Sequence, residues 1–329
     1  MFDPRPGIAV ITRKTRLQGL LGRWATRGQA KFRLKQSRMQ EQARTRQRVT
    51  SEMLEESDAD FDALEDEDET YQHSVARLHR ALNFGLPIQM VDREFVPNFD
   101  FARFEVVVVI GQDGLVANAA KYVGDVPIVA VNPDPRRIDG VLLPFRLSDV
   151  RAAVGRVLDG RFTTRDVTLA EVNLPDGQKL LAFNDLFLGA RSHVSARYRL
   201  ESSGDSEVQS SSGIIVSTGA GSTGWLSSVF NMAAGITRHL GGQPPRVPQL
   251  SWEDRLLLWA VREPFVSKTT QANLVMGQVA EGTELIVESL MPEGGAIFSD
   301  GVEADFLEFN SGAIARVGVS AQKARLVWK

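Results

Sequence analysis

The 329-residue chain contains no cysteine. That excludes a disulfide framework, thiolate metal sites and a cysteine nucleophile, and it gives no sign of an oxidising compartment. Histidine is scarce. His73, His79, His193 and His239 are the only four, and they show no metal-ligand spacing. No apolar run approaches the roughly 18 residues of a membrane span. The opening MFDPRPGIAVITRKTR lacks a charged-then-apolar leader with a cleavage site. Charge of one sign is not in excess either: 38 Lys and Arg face 41 Asp and Glu, for a net −3, which argues against a global nucleic-acid or membrane-surface binder. What is present is ordinary for a globular protein, 43% apolar and 24% charged, at a length that suggests two domains. The expectation is a cytoplasmic enzyme or binding protein with no membrane and no nucleic-acid partner.

The charge is unevenly placed. Lys31 to Arg48 carries seven bases against the single acid Glu41, and Glu52 to Glu69 carries eleven acids and no base. Apolar residues there are too sparse to bury much, so the pattern predicts an exposed helix followed by a flexible acidic stretch. Within this charged insert, at about 27–72, residues 30–70 read as dispensable for folding.

Phe104 to Lys121, FEVVVVIGQDGLVANAAK, organises the first half. Val106–Ile110 is a short β-branched run, the signature of a buried strand of a parallel sheet. It stops at Gly111-Gln112-Asp113-Gly114. Leu115, Val116, Ala119, Ala120 and Val123 then recur at helical spacing. Ligands of open α/β sheets bind beyond the carboxyl ends of the strands, where this turn falls. Glycines admit a close phosphate, and the helix N-terminus behind them favours an anion. Asp113 would repel that anion unless it takes a proton from a hydroxyl or helps to hold Mg²⁺. Capping the helix is the plainer role for it.

Around this stretch, Gly7–Thr12 reads as a first strand, ending in the basic pair Arg13-Lys14. Leu17, Leu20, Leu21 and Trp24 start an amphipathic helix. His73–Leu86 is a further helix, Ile88–Val91 and Val126–Val131 are strands, and Ser148 caps a helix to Leu158. Strands alternating with helices mean a parallel α/β domain, residues 1–150. From Thr163 short runs broken by Gly, Pro, Asp or Ser predict a β-sandwich, residues 151–310, in which Glu201–Ser212 is a polar loop in a hairpin and residues 269–275 a strand. Residues 311–329 would add C-terminal strands that pack back on the first domain. The fold class is therefore α/β plus all-β, an N-terminal parallel α/β domain with a C-terminal β-sandwich domain.

Val216–Trp225, VSTGAGSTGW, is a second glycine-rich stretch. Four hydroxyls and three glycines lie in eight residues between a strand and a helix, and they offer small donors to a polar ligand. With Gly111-Gln112-Asp113-Gly114, Asn184-Asp185 after Ala182-Phe183, and Asp300-Gly301, it forms an ordered set over roughly residues 100–305. The set resembles the NAD kinase family, whose members carry a Gly-Gly-Asp-Gly turn, an Asn-Glu pair, a Ser-Thr-Pro-Thr-Gly-Ser-Thr-Ala-Tyr segment and an Asp-Gly pair. The related diacylglycerol and sphingosine kinases share a glycine-aspartate turn but match the Ser217–Trp225 stretch less well.

The resemblance implies phosphoryl transfer from ATP, or another donor such as polyphosphate, to the ribose 2′-hydroxyl of NAD, with Mg²⁺ offsetting phosphate charge. Asp113 would be the catalytic base or ribose-binding carboxylate. Gly111, Gln112 and Gly114 would hold phosphates. Asn184, Asp185, Thr218, Gly221, Ser222, Thr223, Trp225 and Asp300 would contact the dinucleotide, and a homo-oligomer is expected. The chain departs from the family where Gln112 replaces Gly, Leu115 replaces Thr, Gly219-Ala220 replaces Pro-Thr and Trp225 replaces Tyr. Gln112 is expected to crowd the phosphate approach, and Gly219-Ala220 to loosen the loop. A non-catalytic dinucleotide-binding regulator and a kinase for a lipid or other small hydroxyl compound are the alternatives.

Overall fold

The structure, a computed structural model, describes residues 7–24, 26–44, 51–245 and 248–329. Its first half runs β1 (Gly7–Thr12), α1 (Arg16–Trp24), α2 (Arg27–Arg44), α3 (Ser51–Ala81), β2 (Ile88–Asp92), a 3-10 turn (Arg93–Asn98), β3 (Phe104–Ile110), α4 (Asp113–Ala120), β4 (Ile128–Asn132), β5 (Phe145–Arg146) and α5 (Val150–Leu158). The second half runs β6 (Thr163–Asn173), β7 (Lys179–Ala182), β8 (Asp185–Ala190), β9 (Ala196–Ser202), β10 (Asp205–Ser211), β11 (Ile214–Ser217), α6 (Trp225–His239), β12 (Leu256–Val261), β13 (Met276–Ala280), β14 (Leu285–Ser289), β15 (Gly295–Ser299), β16 (Val302–Glu308) and β17 (Ile314–Trp328).

The β-branched runs form a parallel core: β3 pairs in parallel with β1 and β4, and β1 with β2. Side chains alternate between faces along a strand. Ile8, Val10, Val106, Val108, Val129 and Val131 meet Leu78 of α3, Leu82 just beyond its end, and Val150 and Val154 of α5. Ala9, Ile11, Val107, Val109 and Ala130 meet Leu115, Val116 and Ala119 of α4, with Val167 and Leu169 of β6 beyond. Both faces are thus covered, as an all-apolar parallel sheet requires.

The larger sheet has the order β10-β9-β14-β17-β4-β3-β1-β2. Its antiparallel part faces the second sheet, β13-β12-β11-β8-β15-β16, across a core that includes Tyr198, Trp259, Ile214 and Val317. This is the sandwich. The long strand β17 bridges the two regions. It pairs antiparallel with β14 and β6, and in parallel with β4 at Leu326–Ile128.

Several expectations are corrected. The acidic stretch is the body of a 31-residue helix, α3, rather than a flexible run. Buried Phe61 packs with Leu17 of α1 and Ala30 of α2, supported by Leu20, Leu34 and Leu64. The insert therefore owns a small core. Helix α5 starts one residue late, with Asp149 rather than Ser148 at its cap, and the Ser148 hydroxyl bonds Asp149 at 2.9 Å instead. Residues 201–212 are mostly strand, forming the β9–β10 hairpin around Ser203-Gly204. Its inward residues Glu207, Gln209 and Ser211 are polar and buried, which hides the usual apolar alternation. Tyr198 Oη donates to Gln209 at 2.9 Å, and Glu207 accepts the N–H groups of Asn273 and Leu274 at 3.1 and 2.9 Å. Residues 269–275 are irregular rather than a strand, and Asn273 and Leu274 there supply those N–H groups.

Candidate functional site

The turn from β3 into α4 carries the first cluster. Gly111 N–H closes the strand on Val131 O at 3.3 Å. Gln112 is the helix N-cap with φ −104°, a conformation open to any residue, and its exposed side chain makes no capping bond. Asp113 and Gly114 open the helix, so their N–H groups have no intrahelical partner. A Cβ on Gly114 would meet nothing within 4 Å, so the backbone there is open to a ligand. Asp113 Oδ1 accepts Leu142 N–H at 2.6 Å, which fixes the half-buried carboxylate in place.

The second cluster sits at the β7–β8 turn. Asp300, in the left-handed region at φ 53°, accepts the N–H groups of Phe183, Asn184 and Asp185 at 3.1, 2.6 and 3.3 Å. Its own position is thus over-determined, as a strained non-glycine residue requires. Burial pushes the Asp185 carboxyl up to about 7, and the neighbouring charge of Asp300 adds to the shift. Burial also raises the Asp300 carboxyl, against the opposing pull of Lys121 and the three N–H groups.

The 217–225 stretch packs against this turn. Thr218 is fully buried; its hydroxyl donates to Phe183 O at 2.6 Å and accepts Gly221 N–H at 3.2 Å. Ser222 Oγ bonds Gly219 O at 2.7 Å. A Cβ on Gly221 would stand 2.0 Å from Asn184 O, and one on Gly219 1.9 Å from Ser251 O. The glycines here serve close packing of backbone on backbone, so the loop expected to be loose is seated. Thr223 is exposed. Trp225 stacks on Phe187 at 5.5 Å, which in turn stacks on Phe298 at 4.8 Å.

Helix α4 joins the clusters. Lys121, just after its last turn, is buried; Nζ donates to Ser299 Oγ at 2.7 Å and lies 3.6 Å from Asp300 Oδ2. Tyr122 donates to Asp305 of β16. The helix that presents Asp113 is therefore pinned at its other end to the residues that shape Asn184 and Asp185. Motif reading finds Asp113, Asn184, Asp185 and Asp300 and misses Lys121, Tyr122, Asn118 and Asp305, which become partners only through the tertiary fold.

Above the turn sits α3. Glu67 accepts from Arg13 at 3.0 Å and from Arg16 at 2.8 Å. Tyr71 Oη donates to Ile110 O and accepts Arg13 N–H, both at 3.0 Å. Arg137 pairs with Asp66 and with Asp134, the latter at 3.3 Å. The basic pair at the end of β1 is thus partly neutralised by the insert. Among the described residues no cluster of three or more His, Asp or Glu is arranged to hold a metal ion, and no helix is long and apolar enough to cross a membrane.

A parallel α/β sheet that carries a glycine-aspartate turn and continues into a β-sandwich is the class this geometry defines. No family model matches the chain. It is 34% identical over 137 residues to an NAD kinase of Azoarcus sp. (strain BH72), and 32% identical over 133 residues to one of Alcanivorax borkumensis. Those stretches cover 39% and 38% of this chain, but only 45% and 43% of the relatives' own lengths. In fold it is similar to yeast NADH kinase complexed with NADH, with a TM-score of 0.57 at 15% identity, covering all of this chain and 85% of the other. It is also similar to the Archaeoglobus fulgidus NAD kinase in complex with ATP, with a TM-score of 0.54 at 18% identity, over 77% and 88%. The chain thus shares sequence with NAD kinases over less than half of their length, and its fold is similar to theirs.

Proposed function

We propose that this protein transfers the γ-phosphoryl group of ATP to the ribose 2′-hydroxyl of NAD, giving NADP and ADP. The observation that carries the reading is Asp113. One carboxylate oxygen is fixed by Leu142 N–H, the other has no hydrogen-bond partner among the described residues, and the open backbone of Gly114 adjoins it. In this reading the free oxygen takes the proton of the hydroxyl as its oxygen bonds to phosphorus and the bond to ADP breaks. The unpaired N–H groups of Asp113 and Gly114 receive a phosphate oxygen. Asn184 and Asp185 bind the dinucleotide, with Thr223 and Trp225 at its edge. Thr218, Gly221, Ser222 and Asp300 hold those groups in place from behind. At about 7, the Asp185 carboxyl can donate or accept at neutral pH, which suits a ribose hydroxyl or a base edge.

With no three-residue acidic cluster among the described residues, Mg²⁺ would be carried chiefly by the donor phosphates, with Asp113 as the carboxylate of the turn. Bound there, it would neutralise charge on the transferring group. The lipid alternative is disfavoured by the cleft beside Gln112, which is lined mainly by charged and amide side chains.

The test is NADP formation by purified protein with ATP and with polyphosphate as donor. Asp113→Asn keeps the shape and removes the base, and should cost about 10²–10⁴-fold in turnover. A variant that keeps most of its rate with an unchanged pH profile would refute the role. Tight NAD binding with no turnover in the wild type would favour the regulator instead.

A further inference from the structure

A cleft of about 760 Å³ opens between the 3-10 turn, α4 and β16. Gln112 and Arg13 stand on its wall, beside the β3–α4 turn, and Asn118, Val302 and Asp305 also line it. Asn118 is out of character with its helix. Its neighbours Val116, Ala117, Ala119 and Ala120 are buried and apolar, whereas asparagine is a poor helix former. Asn118 is only 4% exposed, and its Oδ1 has no hydrogen-bond partner. Buried side-chain acceptors are nearly always satisfied, and leaving one unmade destabilises the fold. A second orphan lines the same cleft: Asp305 Oδ1, whose sister oxygen accepts from Tyr122.

We infer that Asn118 is a specificity-determining residue that, with Asp305, accepts a paired hydrogen-bond donor of a bound nucleotide. The inference rests on the nucleotide-kinase reading above. Two acceptors, one of them a carboxylate, reject phosphate and suit a neutral group with two polar hydrogens. A ribose diol and a primary carboxamide both present that pattern. The phosphates belong at the other end of the cleft, where Arg13, Lys14 and Arg93 line it near the open helix N-terminus. The cleft would thus hold a nucleotide with its anionic part on the turn and its neutral donor pair on Asn118 and Asp305.

The experiment is calorimetric binding to wild type, Asn118→Leu and Asn118→Ala. The probes are ATP, 2′,3′-dideoxy-ATP, NAD and nicotinic acid adenine dinucleotide. Wild type should prefer ATP over its dideoxy form if the ribose diol is read, or NAD over its acid form if the carboxamide is read. Asn118→Leu should weaken that preferred ligand by about tenfold and abolish the preference, while its melting temperature holds or rises because the orphan is gone. Asn118→Ala should lose the same preference, which separates the effect from leucine's bulk. Unchanged affinities in both variants, or equal losses for intact and modified ligands, would overturn the inference. Failure of the wild type to bind either ATP or NAD would instead sink the kinase reading itself.

Discussion

Asp185 is held up to about 7 by burial and by Asp300, against an ordinary aspartate value near 4. Between those values the folded chain binds a proton that the unfolded chain does not. Its contribution is therefore least favourable above about pH 7 and improves as pH falls through that value. Asp185→Asn removes the titrating group. The variant should melt higher than wild type at pH 8.5, and the gap should close by about pH 5. A gap independent of pH would show that the carboxyl is not perturbed. Residues of this kind are legible in sequence only by motif: Asn184-Asp185 and Asp300 stand out because they follow the glycine-aspartate turn in a recognisable order. Thr218 was legible as a polar contact but not as a buried one, because the fact that decides its role is the carbonyl of Phe183 behind it. Asn118 carried a signal of its own, a lone amide in an apolar helix, without any hint of what it faces.

At the scale of the element, α3 changes the reading most. The density of acids suggests a solvated, dispensable segment, yet Phe61, Leu64, Tyr71, Val75, Leu78 and Leu82 make one stripe at helical spacing down its length. The stripe is sparse enough for the charge to mask it. Docking then places Glu67 on Arg13 and Arg16. Burial alone would raise the Glu67 carboxyl, but the bonds from both guanidinium groups overcome it and hold the carboxyl below the ordinary range. The sign runs opposite to that of Asp185: the stabilisation is present above about pH 4.5 and is lost as pH falls through the lowered folded value. Glu67→Gln leaves a largely buried Arg13 without its counter-charge and should destabilise the protein by about 1–3 kcal/mol in denaturant titrations at neutral pH. Deleting residues 30–70 should likewise lower the melting temperature, because Leu17 loses its cover of Ala30, Phe61, Leu34 and Leu64. A deletion variant as stable as wild type would restore the dispensable reading. The strand β10 was hidden within the expected hairpin for a related reason: its inward face is polar, so period-two alternation of apolar residues fails there.

Over the whole molecule, the sequence pattern separates an α/β part from a β part, and the chain realises both while joining them by one sheet through β17. Local periodicity cannot reveal that residues 314–328 pair with β14, β6 and β4 in turn, since register with distant strands is set by the assembled core. Lys121 is the second join, and it is electrostatic. Its ammonium and the Asp300 carboxylate are both almost wholly buried, 3.6 Å apart, with Ser299 satisfying one more proton. Taking one partner from a buried pair leaves the other charge uncompensated, at about 3–5 kcal/mol. Lys121→Met should therefore destabilise the fold at pH 8 by that order. Asp300, without its cation, would then favour the protonated form more strongly, so the deficit should shrink as pH is lowered toward 5. Lys121→Met combined with Asp300→Asn should recover part of the loss at pH 8 and show little pH dependence of its own. Because Lys121 also fixes the far end of the helix that presents Asp113, the single variant should lose NADP formation by more than its unfolded fraction explains. If Lys121→Met is as stable as wild type at pH 8, or if the double variant is no better than the single, the pair does not hold the two halves of the site together.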